Sequence, residues 1–182
     1  MRSKAPLLLL ILVDGLVIAA GIMFAVGRSP TRSSSDWSAL DPALRCKAAV
    51  ELIDHPAPWP IVCRWRQPGD TMTAVAFPSP VGDPPWDRPR IDVHVDAGQS
   101  REELARVIAH EMGHMHHTRE PSFTGGWLQA RNLAPDTDWT IWVEDYAEVF
   151  ARIFGPPFPD WRATTVPPTP AELESLRTRF FG

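Results

Sequence analysis

The sequence predicts an α+β domain in which a small sheet packs with two chemically loaded helices, preceded by an apolar segment of membrane-spanning length. Three observations lead to that reading. Short strand-like runs occupy 59–77 and 90–96, a capped amphipathic helix starts at Ser100, and a second apolar helical pattern runs from Trp142 to Gly155. With 182 residues, 44% of them hydrophobic, the chain suffices for one cored domain and falls short of two. No internal repeat is visible.

Residues 1–27 read as an N-terminal membrane anchor. Arg2 and Lys4 precede an almost unbroken apolar run from Leu7 to Gly27, 21 residues that would span about 31 Å as a helix. A cleaved signal peptide is the rival, with Ala25-Val26-Gly27 as small residues before a cleavage point, although the apolar region is long for that role. Asp14 is costly in lipid and does not decide between the two. The segment implies a single-pass membrane protein with an extracytoplasmic domain, or a secreted one if it is cleaved. Residues 28–40, rich in Ser, read as a flexible linker, and 41–182 as the folded domain. Beyond residue 27 the domain carries 16 Lys and Arg against 21 Asp and Glu, a net charge of −5, which argues against a nucleic-acid partner. Cys46 and Cys63, the only cysteines, suit one disulfide in an exported domain, with two buried thiols as the alternative.

Asp41 caps a helix that starts with Pro42 and ends before Pro56. Trp59 to Trp65 and Thr71 to Phe77 read as two strands, joined by the turn residues Gln67-Pro68-Gly69-Asp70 into a hairpin. A Pro-rich loop then leads to Arg90–Asp96, where Ile91, Val93 and Val95 alternate with Asp92, His94 and Asp96. His94 reads as a solvent-facing strand residue, with a substrate contact as the sharper alternative. The position of this strand just before the next helix suggests a peptide pairing on its edge.

Ser100 and Glu103 form a capping box, and Leu104, Val107, Ile108, Met112 and Met115 then recur at helical spacing to about Thr118. Inside this helix stands His110-Glu111-Met112-Gly113-His114. Histidines at i and i+4 lie on one face, so both imidazoles can reach one metal at about 2.0–2.1 Å. Glu111 lies about 100° round the helix, placed to act as general base on a metal-activated water. This is the zincin signature, and the metal it implies is Zn²⁺.

A catalytic zinc needs a third protein ligand. His117 would form with His110 and His114 a stripe too long for one ion, and His116 points elsewhere. Glu120 occupies the third-ligand place of the extended metzincin pattern, but His117 replaces the required glycine and no methionine follows Met115. The stronger candidate lies in the helix from Trp142, where Glu144 and Glu148 stand one turn apart among apolar residues and need compensation there. A solvated acidic stripe of Glu144, Asp145 and Glu148 is the plain alternative.

Glu144, Ala147, Glu148 and Phe150 spell Glu-x-x-Ala-Glu-x-Phe, which resembles the third-ligand helix of gluzincin-type metallopeptidases, including the catalytic domain of anthrax lethal factor; a close variant resembles that of the ImmA/IrrE peptidases. The resemblance covers the two motif helices. It implies a minimal zincin-like fold, Glu144 as third ligand and Glu148 as a support behind the ligands. Tyr146 reads as core packing or a further support, with stabilisation of a tetrahedral intermediate as the alternative. The expected activity is zinc-dependent peptide hydrolysis with Glu111 as general base and a peptide or protein as substrate. A membrane-tethered binding protein with a non-catalytic zinc is the alternative. The stretch between the two helices, with Gly125-Gly126-Trp127 and Pro135-Asp136, reads as a loop lining the cleft, Trp127, Trp139 and Trp142 as packing residues, and Thr169-x-x-Glu172 as the cap of a last helix through Arg179.

Overall fold

Three strands form a mixed sheet around the most buried of them. In the computed structural model, which describes residues 36–78, 88–117 and 121–182, the strands are β1 (Ile61–Trp65), β2 (Ala74–Phe77) and β3 (Arg90–Val95), in the spatial order β1-β3-β2. The helices are α1 (Pro42–Val50), α2 (Arg101–His116), α3 (Pro121–Ala130), α4 (Trp139–Phe154) and α5 (Pro170–Leu176), the last continued by one wide π-type turn, Arg177–Phe181. The α+β class expected from the pattern is the class observed.

The hairpin is not formed. The turn itself exists: Gly69 takes the left-handed φ of 96° that favours glycine, and the Asp70 amide donates to the Gln67 carbonyl at 3.0 Å. The strands it joins do not pair, because β3 lies between them, parallel to β1 and antiparallel to β2. Ile91, Val93 and Val95 are fully buried, and a strand with so apolar a face is best satisfied in the centre, where both its edges are hydrogen-bonded. Pairing of a peptide on the edge of β3 is therefore ruled out. That leaves β1 and β2 as the two edge strands. The His94 amide donates to the Thr73 carbonyl at 2.8 Å, and by the alternation of an antiparallel ladder Ala74 and Ala76 turn their backbone groups away from β3.

Two other expectations change. The presumed loop after the first motif helix folds as α3 despite Gly125-Gly126, because Trp127 and Leu128 bury against Tyr146 and Val149, and tertiary burial outweighs weak local propensity. The linker is docked from Asp36 onward. Asp36 caps the short 3₁₀ turn Trp37–Ala39, and the Trp37 indole donates to the Gln99 carbonyl at 2.8 Å. Buried Arg45 ties the same corner together, its Nη1 donating to the Asp96 and Ala97 carbonyls just ahead of α2.

Asp41, Ser100 and Thr169 cap α1, α2 and α5 as the sequence implies. A disulfide joins Cys46 on α1 to Cys63 on β1, so the two cysteines are paired and are not two buried thiols. The anchor at 1–27, the tether up to residue 35, most of the Pro-rich loop (79–87) and the alternative ligand Glu120 lie outside the described residues. Among the described residues no helix is long and apolar enough to cross a membrane.

One core fills the space between the sheet, α1 and α2, with Leu104, Ile108 and Met112 as its central helix residues. A second gathers Trp127, Trp142, Tyr146 and Leu176 on the far side of α4. Trp139 departs from the packing role, being half exposed. Helices α2 and α4 meet face to face at Gly113. A Cβ built there would stand 2.6 Å from the Ala147 Cα and 3.0 Å from the Phe150 Cβ, too close for any side chain. Gly113→Ala should therefore force the helices apart and destabilise the fold by about 1–3 kcal/mol, read as a lower midpoint in urea unfolding; an unchanged midpoint would contradict the close approach.

Candidate metal centre

The helix α2 presents His110 and His114 one turn apart, and α4 delivers Glu144 opposite them. The two Nε2 atoms lie 3.1 Å apart. Glu144 spans the pair, with Oε2 3.2 Å from His110 Nε2 and Oε1 3.4 Å from His114 Nε2. One donor atom from each residue can be chosen so that all three lie within 4.8 Å of one another, a group able to hold a metal ion. Ligands bound tetrahedrally at about 2.0–2.1 Å stand about 3.3 Å apart, which the two Nε2 atoms and each Nε2 with its nearer Glu144 oxygen match pair by pair.

Glu144 sits on the rim, its side chain 54% exposed, whereas the two neighbouring carboxylates are buried. The acidic stripe is thus not solvated. Asp145 accepts from Arg131 Nε and Nη2, each at 2.9 Å, and from the Trp127 indole at 3.1 Å, which secures α3 to α4. Glu148 accepts from Arg106 through Oε1 and faces His110 Nδ1 through Oε2 at 3.3 Å. A His Nδ1–H held by a carboxylate leaves Nε2 as the free ligand atom, so Glu148 sets both the tautomer and the ring angle of His110.

Arg106 is the participant that the motif alone did not reveal. It lies one turn before His110 on the same helix face, and that i−4 spacing from the first histidine was the available signal. The guanidinium is 3% exposed and rests over the Phe158 ring at 4.4 Å. Burial, with the nearby Arg152 and Arg162 charges adding to it, lowers its pKa, while Glu148 works the other way.

Tyr146 stands apart from the three candidate ligands. Its hydroxyl bonds His116 Nδ1 at 2.8 Å, and its ring is buried against Trp127 and Phe123. The reason is helical geometry: two residues after Glu144 the side chain has turned about 200° away. Core packing is its role, and the tetrahedral-intermediate role has no geometric support. His117 packs its edge on Trp142 and is not collected with the triad. His94 is half-buried on the sheet, with Arg64 Nη2 2.8 Å from its Nε2.

Glu111 lines the same open cavity of about 270 Å³ as His110, Glu144 and Glu148, with Met72 and Thr73 on the opposite wall. Burial pushes its carboxyl up to about 7; the Glu144 charge adds to the rise, and the His110 charge and the Ala76 amide at the open edge of β2 oppose it. His110 is pushed up to about 9: burial opposes its charge, but the hydrogen bonds to Glu144 and Glu148 prevail. His114, buried beside that cation, falls to about 4. The hydrogen bond to His110 keeps Glu144 below the usual carboxylate range. Without a metal, a charged His110 meets Glu144 through Nε2 and Glu148 through Nδ1.

In comparison with known proteins, no family model, no curated protein and no solved structure matches the chain.

A metal entering the site must displace the His110 proton. Because that proton is held up to about 9 while His114 is already neutral above about 4, apparent metal affinity should rise about tenfold per pH unit from neutrality and level off above pH 9. Competition against a calibrated chelator across this range measures the slope. A flat profile would show that His110 is not a ligand.

Proposed function

We propose that the protein is a zinc-dependent metallopeptidase held at a membrane by residues 7–27, its folded domain on the extracytoplasmic side. One observation carries the reading: one donor atom each of His110, His114 and Glu144 lie within 4.8 Å of one another, while a fourth group, Glu111, is left off the set and faces the same open cavity. Three protein ligands with open space beside them suit a catalytic ion better than a structural one, which is normally closed by four. The nitrogen and carboxylate donors suit zinc. The Cys46–Cys63 disulfide supports an oxidising compartment.

Zinc held by His110, His114 and Glu144 would supply Lewis acidity, lowering the pKa of water to about 7 and polarising a carbonyl. Glu148 keeps His110 oriented for this, and Arg106 keeps Glu148 ionised. Glu111 takes a proton from the attacking water. A carboxyl that burial has raised to about 7 is matched to accept that proton and to return it at neutral pH. It then delivers the proton to the departing amine as the C–N bond breaks, so that each cleavage consumes one water and yields a carboxylate and an amine. An extended peptide adding to the open edge of β2, where the Ala74 backbone groups point outward, would run past Glu111.

The Glu111→Gln variant should keep its zinc and lose about 10²–10⁴-fold in turnover on a mixed peptide library, whereas Glu144→Ala should lose the zinc itself. Metal analysis together with mass spectrometry of the digests separates the two. Wild type and Glu111→Gln both loaded with zinc and equally inert would point to a binding protein instead.

A further inference from the structure

Two guanidinium groups, Arg106 and Arg162, share the lining of the cavity with His110 and Glu144 of the triad. Arg106 spends Nη2 on Glu148 and on the Asp160 carbonyl at 3.1 Å, and its Nη1 is buried with no hydrogen-bond partner. A buried donor in that state is normally completed by a ligand or by water. Arg162 is exposed on the rim, its Cζ 5.6 Å from the Phe158 ring, and among the described residues no carboxylate side chain pairs with it. It also lines an adjoining cavity of about 300 Å³, which shares Thr73 and Val107 with the first. The acidic residues there are engaged elsewhere, Asp96 by Arg66 at 3.1 Å and Glu103 by the Ser100 amide at 2.8 Å.

The charges around the first cavity do not balance. Its carboxylates are Glu111, Glu144 and Glu148, and its guanidinium groups Arg106 and Arg162. A divalent ion with both histidines neutral leaves one positive charge in excess, in a chain whose net charge is −4. Any negative charge on the substrate would be drawn to that side of the cleft.

We propose that Arg162, backed by Arg106, recognises a carboxylate of the substrate, so that the bond presented to the triad lies beside a residue carrying an acidic side chain or the peptide's own C-terminal carboxylate. The assignment rests on the peptidase reading for the nature of the ligand. Arg162 offers a planar fork suited to bidentate carboxylate binding.

The test uses the full-length chain and matched N-acetylated peptides, Ala-Ala-Glu-Ala-Ala and Ala-Ala-Gln-Ala-Ala, each with a free or an amidated C-terminus. Binding is measured by calorimetry on the metal-free wild type and on the zinc-loaded Glu111→Gln variant, and cleavage on the zinc-loaded wild type. A carboxylate should strengthen binding by about tenfold, the scale of one charge-assisted hydrogen bond. The Glu-for-Gln arm and the amidation arm tell which carboxylate is read. Arg162→Glu, at an exposed position, should abolish or reverse the preference, and Arg162→Lys should keep part of it. Equal binding of all four peptides, no binding of any, or a preference untouched by Arg162→Glu would overturn the proposal. A carboxylate preference without cleavage of any peptide would sink the peptidase reading and leave the anion site standing. Cleavage with no preference would do the reverse.

Discussion

The candidate site depends on how closely two helices approach. His110 and His114 belong to α2 and Glu144 to α4, and side chains this short converge on one point only if the backbones nearly touch. Gly113, between the two histidines, allows that contact with the Ala147 backbone, whose own side chain is a single methyl group. A larger residue at either place would widen the gap between Glu144 and the imidazoles, and donor spacing near 3.3 Å leaves little tolerance. The small residues are as much a part of the site as the ligands.

Behind the donor face runs a buried polar layer. Arg106, Glu148 and His110 form a chain in which each group compensates the next, and Arg131 with Asp145 forms a second pair that secures α3. Buried ion pairs contribute little net stability, but removing one partner typically costs about 3–5 kcal/mol because the other charge is stranded. Such pairs act by forbidding alternative packings more than by strengthening the observed one. Here the pairing sets the His110 ring and tautomer, which no hydrophobic contact could do.

The sheet contributes an edge and a wall. With β3 central and β1 on its far side, β2 is the strand beside α2, and its outward backbone groups border the same cavity as Glu111. The segment after α4 places the Phe158 ring against both Arg106 and Arg162. The cleft is thus lined by Ala74 of β2, by these two guanidinium groups and by three carboxylates, Glu111, Glu144 and Glu148.

Much of this was legible in the residues themselves. The capping boxes at Ser100 and Thr169, the cap at Asp41, the apolar stripe of α2, the His-Glu-x-x-His spelling and the carboxylates of α4 are local patterns, decided by hydrogen bonds and periodicities within a few residues. Pairing partners were not. The turn at Gln67–Asp70 predicted a hairpin correctly as a turn and wrongly as a pair, because strand order follows from which strand most needs burial on both sides. The glycines at 125 and 126 spoke against α3, and only the burial of Trp127 made it a helix. The resemblance singled out Glu144 as ligand and Glu148 as its support and left Asp145 unassigned; the structure exposes Glu144 toward the histidines and buries Asp145 against Arg131, just past α3, and Glu148 against Arg106 of α2. The sequence by itself determined the strands, every α-helix except α3, and the chemical types available to the site. The tertiary structure alone decided which charge meets which, since those contacts join residues from 14 to 42 positions apart and carry no local signature.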